Sequence, residues 1–242
     1  MGSDLTQSVP PSLLQLPHQP VPQAALMTIA ASDVQVDLGG HVLRAKQRAA
    51  QGLWINGRGD SRIHSVRVTN GSIAITDRPA VFMVYAWNSD NDRFRRRSVA
   101  GFLATARDPS DYKHTGFVLE NLTLEARDVA VIMQGRGNTI RHCKIIGGNA
   151  AVNLYGPDLI FEDNEIVLNA TETPPGGEPA VALYLEDANG STVRNNTITI
   201  RGRTAGAEAI VLKNSSEVTL QNNSVNSGPQ TYKLLDQQSS LR

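Results

Sequence analysis

The sequence predicts an all-β fold, a single-stranded right-handed parallel β-helix of about 7–8 coils with an asparagine ladder. Three observations carry that expectation. A six-residue frame, apolar-x-x-X-x-apolar, recurs along the chain. Its fourth position is asparagine in three successive copies. The composition suits strands and tight turns: of 242 residues, 20 are glycine, 5% are aromatic and only 19% are charged. Such a mix disfavours both a helical bundle and a disordered chain.

The frame occurs at 63–68, 119–124, 140–145, 161–166, 193–198 and 220–225, and more loosely at 38–43. Successive starts are separated by 25, 56, 21, 21, 32 and 27 residues. A unit of 21 with insertions accounts for most of these, and the gap of 56 reads as two coils. Each unit holds three short runs of alternating apolar residues. In the unit that begins at Val193 these contain Val193, then Ile198 and Ile200, then Ile210 and Leu212. Period-two alternation between turn residues means strands with every second side chain directed inward. Three strands in one turn cannot enclose a core, so coils must stack, each backbone paired with the next at about 4.8 Å.

Down the stack the fourth position reads Val66, Leu122, Cys143, Asn164, Asn196 and Asn223. Asparagines repeated at one bend are expected to bond amide to amide. Cys143, the lone cysteine, reads as a small buried member of the apolar end of this column. It also excludes an internal disulfide framework.

The proline-rich residues 1–32 read as an N-terminal extension and cap, because five prolines between 10 and 22 remove donors and hold the chain extended. Residues 33–227 form the β-helix, and 228–242 a C-terminal tail. The 23 basic and 23 acidic residues cancel, so no global field points to nucleic acid or to a membrane surface. No apolar run is long enough to span a bilayer. The histidines at 18, 41, 64, 114 and 142 lack metal-ligand spacing, so neither metal nor cofactor is expected. The oligomeric state is left open.

The run that follows each variable loop offers the candidate site. Its outward positions are Ile132 and Gln134, Asn153 and Tyr155, Tyr184 and Glu186, and Val211 and Lys213. Loops at 169–179, 201–207 and 86–100 are expected to lengthen one corner beside it. The last of these holds Arg93, Arg95, Arg96 and Arg97, whose guanidiniums suit carboxylates or sulfates. Tyr155 and Tyr184 are expected to face solvent as rings for sugar stacking.

The ladder, the 21-residue unit and the segment 36–43 resemble the pectate-lyase-like superfamily. They are most similar to the repeats of carbohydrate-binding proteins and sugar hydrolases and of NosD-like proteins, over roughly 33–226. The resemblance implies the right-handed β-helix, a substrate groove on the face just described, and a secreted or periplasmic location. The segment 108–114 is similar to the Asp-Pro-His-Asp motif of alginate C5-epimerases, but Ser110 stands where that family has its histidine. The clustered calcium-binding aspartates of pectate lyases and the paired aspartates of polygalacturonases are absent from the groove strands.

Two functions follow. The first is a non-catalytic β-helix that binds a glycan or a partner, or serves as a scaffold. The alternative is a lyase or C5-epimerase acting on an acidic polysaccharide. In that case His114, Tyr155 and Lys213 are the acid and base candidates, with Arg93, Arg95, Arg96, Asn153, Tyr184 and Glu186 holding the substrate. The missing carboxylates favour the first.

Overall fold

The computed structural model describes residues 5–7, 25–45, 51–55, 63–76, 78–83, 115–170, 179–202, 206–226, 232–234 and 237–242. Every regular element among them is a strand. The chain begins with β1 (Leu5–Gln7), β2 (Ala25–Ile29), β3 (Gln35–Asp37) and β4 (Val42–Ala45). Next come β5 (Gln51–Ile55), β6 (Arg67–Ile75) and β7 (Val81–Met83), then β8 (Val118–Ala126) and β9 (Val129–Gln134). The following coils have three strands each: β10 (Thr139–Arg141), β11 (Lys144–Gly147) and β12 (Ala150–Tyr155), then β13 (Ile160–Glu162), β14 (Glu165–Ala170) and β15 (Val181–Glu186). The last are β16 (Thr192–Arg194), β17 (Thr197–Gly202) and β18 (Glu208–Lys213), then β19 (Thr219–Gln221), β20 (Ser224–Asn226) and β21 (Lys233–Leu234).

All pairings are parallel and join each coil to the next. One sheet has eight strands in the order β2-β5-β7-β9-β12-β15-β18-β21. The other thirteen strands form a second sheet, in which β6 and β8 run through the corner that divides later coils in two. The segment expected to cap the helix contributes β1 and β2, which pair with β4 and β5.

Register confirms the frame from residue 119 onward: Leu119, Ile140, Phe161, Val193 and Leu220 pair in sequence. Before that it corrects the reading. Val68, not Ile63, pairs with Leu119, and Val36 pairs with Val68. The residue beside Leu122 is therefore Gly71 rather than Val66. A Cβ at Gly71 would collide with the side chain of Leu38 and come within 2.7 Å of the His41 carbonyl oxygen. Leu38 thus fills the space that Gly71 leaves.

The gap of 56 is also corrected. The neighbours β6 and β8, and likewise β7 and β9, are adjacent rungs. One coil spans the gap, with residues 84–114 inserted between β7 and Thr115. That insertion follows the eight-stranded sheet, whereas the longer connections after β14 and β17 precede it. They do not share a corner.

The asparagine column forms as expected. Asn164 Nδ2 donates to Asn196 Oδ1 at 3.0 Å, and Asn196 Nδ2 donates to Asn223 Oδ1 at 2.9 Å. Each Oδ1 also accepts a backbone N–H from the coil before it, from Cys143, Asn164 and Asn196 in turn. Asn164 and Asn196 are buried, and Asn223 on the last rung is half-buried.

The residue just before this column is left-handed in every coil. Asn70, Asn121, His142, Asp163, Asn195 and Asn222 have φ between 52° and 58°. Asparagine, aspartate and histidine are the side chains that tolerate this region best. A second left-handed column, Ser65, Gly116, Gly137, Asp158, Gly190 and Glu217, lies five residues earlier. These two bends give the coil its corners.

Replacing Asn196 by leucine should destabilise the protein strongly. The Asn164 amide would lose its acceptor and Asn223 Oδ1 a donor, at about 1–3 kcal/mol per buried group. Urea unfolding measures this, and a loss below one such group would count against the ladder.

Candidate functional site

The outward face of the eight-stranded sheet is built in rows. Trp54, Phe82, Ile132, Asn153, Tyr184 and Val211 pair in one row. Gln134, Tyr155, Glu186 and Lys213 pair in the row beside it. The expected outward register of these side chains therefore holds. Their exposure does not: Tyr155, Tyr184, Asn153 and Ile132 are each 1% exposed and Glu186 is 4% exposed. Phe82, Ile132, Tyr155, Val181, Tyr184 and Val211 form a second apolar cluster, separate from the main core, with Trp54 and Val129 packed against it. Alternation tells which face a side chain occupies, and it carries no information about what shields that face.

Sequence reading missed Trp54, Phe82 and Val181. Val181 joins the outer cluster because alternation breaks after it: Ala182 and Leu183 both belong to the main core. Trp54 and Phe82 lie on coils whose frame was displaced by the register error, and their β-rich segments were the available signal.

The face changes character along the stack. It is apolar at Trp54, Phe82 and Ile132 and becomes polar at Asn153, Tyr155, Tyr184, Glu186 and Lys213. Glu186 gathers its neighbours. Tyr184 Oη donates to Glu186 Oε2 at 2.8 Å, and Lys213 Nζ lies 2.8 Å from Glu186 Oε1. The rings of Tyr155 and Tyr184 are tilted by 57° with centroids 5.9 Å apart. Burial, with the charge of Glu186 in second place, pushes both phenols well above their ordinary range. Two buried atoms here have no hydrogen-bond partner among the described residues: Asn153 Oδ1 and Tyr155 Oη, two positions apart on β12.

The other candidates separate from this cluster. His114, Arg93, Arg95, Arg96 and Arg97 lie outside the described residues. Cys143 is buried, and its Sγ donates to the Arg141 carbonyl oxygen at 3.2 Å. Burial raises its thiol to about 12, so it holds its proton at neutral pH. Among the described residues no three histidine, cysteine, aspartate or glutamate side chains are placed to hold a metal ion.

The stacked parallel coils decide the family. Residues 110–240 match the right-handed β-helix region. The chain belongs to the right-handed β-helix family. No curated protein and no solved structure matches it.

Two outcomes test the buried cluster of this β-helix. Tyr155→Phe removes a hydroxyl with no partner and should leave stability unchanged or raise it, by up to about 1 kcal/mol; thermal unfolding reads the sign, and a clear loss would mean that the hydroxyl is bonded. The second concerns alkaline pH. A phenol whose folded pKa exceeds its unfolded value, about 10, binds more protons in the folded state above that pH. Its stabilisation is therefore complete below pH 10 and is lost as pH rises further. Tyrosine absorbance should show Tyr155 and Tyr184 ionising only as the protein unfolds, and early ionisation of all tyrosines in the folded state would contradict their burial.

Proposed function

We propose that this chain is a non-catalytic β-helix that acts as a rigid binding scaffold for a glycan or a protein partner. The observation that carries this reading is the burial and mutual engagement of the side chains that would do acid–base work. Abstracting a proton beside a carboxylate requires a base within hydrogen-bond reach of a substrate that can enter. Tyr155 is buried, and its phenol is held protonated. Lys213 is engaged by Glu186, and Glu186 by Tyr184 as well. Lys213 is partly exposed but Glu186 is buried, so moving the lysine away would leave a buried carboxylate without its counter-charge, and the pair serves poorly as a proton shuttle.

The test is a screen of uronate polymers with two readouts. Absorbance reports the unsaturated product of a lyase, and NMR of the recovered polymer reports inversion at C5. Neither signal should change. Turnover in either assay, abolished by Lys213→Met, would establish the lyase or epimerase instead.

A further inference from the structure

The two ends of the stack differ. At the first rung β1 already pairs with β4, covering part of the edge. At the last rung residues 240–242 cover the outer side of Val218, just before β19, but no described strand pairs with the outer side of β19 or β20 themselves. Thr219 and Ser224 donate back to the Ser191 and Asn196 carbonyls. Strand alternation therefore turns the N–H and C=O groups of Leu220 and Val225 toward the open side.

The core is cut open at the same place. Val193 and Ile198 are fully buried, whereas Leu220 and Val225, their counterparts one rung later, are only half-buried. Asn223 is likewise half-buried above a buried Asn196. Tyr232 and Leu234, two of the four large apolar residues exposed among those described, belong to this last coil, and Leu241, a third, lies against it one step further out. Leu234 pairs with Leu212, and Leu241 bridges to Val218.

Natural edge strands are blunted by lysine, proline, bulges or inward charges. β19 reads Thr-Leu-Gln and β20 reads Ser-Val-Asn. Neither carries a charge or a proline, and both are in register with the rung behind them.

We propose that this last rung is an interface that docks the last rung of a second copy of the chain about a two-fold axis. A free peptide strand would satisfy only one of the two edges. A second coil offers two strands at the same corner angle, together with a half-open apolar core and a terminal asparagine. The uncharged edges let identical surfaces approach without like-charge repulsion. A head-to-tail contact fits less well, because β20 would have to pair where β1 already lies on β4. An isologous contact closes at two copies. The pairing rests on the edge and stands apart from the reading of the buried tyrosine face.

Sedimentation equilibrium of the whole chain tests this. Wild type should have the mass of two chains at micromolar concentration. Gln221→Lys with Asn226→Lys alters two exposed outward positions and leaves the core intact; it should keep the same circular dichroism and sediment as one chain. Val225→Pro, which removes an N–H from the open side, should do the same. Wild type that is monomeric throughout, that grows into open polymers, or whose dimer survives both substitutions would overturn the proposal.

Discussion

Each coil of this protein is a translated copy of the one before it, set about 4.8 Å along the axis. Every side chain therefore lies against its own counterpart, and a residue persists only if it is compatible with that neighbour. Asparagine satisfies the requirement by bonding amide to amide. Aliphatic residues satisfy it by packing, as Leu119, Ile140, Phe161 and Val193 do. Where a counterpart is too large its neighbour shrinks, as Gly71 does beside Leu38. On the surface the same rule selects opposite charges. Glu120, Arg141, Glu162 and Arg194 occupy consecutive rungs, with Arg141 3.1 Å from Glu120 and Arg194 2.6 Å from Glu162. Lys144 and Glu165, also paired in register, repeat the arrangement. Like charges so placed would repel.

That rule explains what was legible in the sequence. From residue 119 the frame is uninterrupted, so spacing alone places the frame strands and the ladder, whereas β21 falls in the expected C-terminal tail. Earlier the frame at 63–68 was a coincidence of two corners, where Ile63, Val66 and Val68 are all buried and mimic the repeat. The distance of 56 residues cannot distinguish two coils from one coil with an insertion; only pairing partners can. The second left-handed column is hard to read from sequence because glycine, serine, aspartate and glutamate share a backbone conformation there without sharing a side chain.

The candidate site was legible in register and illegible in environment. Asn153, Tyr155, Tyr184 and Glu186 fall on one face, as the alternation required. Burial changes what that face can do. In water the phenols and the carboxylate would be separate solvated groups. Shielded, they become one connected set in which Glu186 accepts from Tyr184 and lies against Lys213, and burial, then the charge of Glu186, keeps both phenols protonated. Apart from Gln134, the polar side chains on this face come from Asn153 onward, so it runs from a mainly apolar half to a wired half, while inside one column changes from Leu122 and Cys143 to asparagine.

The insertion of residues 84–114 has a wider consequence. On either side of it β6 and β8 still match over eight residue pairs, without a slip. Closing a longer loop costs only in proportion to the logarithm of its length, while a slip by one residue would exchange inside for outside along a whole strand. A stacked coil is therefore permissive in one dimension and unforgiving in the other. New segments can be acquired at a corner with little thermodynamic penalty, and heritable novelty in such a chain is expected to accumulate at its turns while the rungs stay as they are.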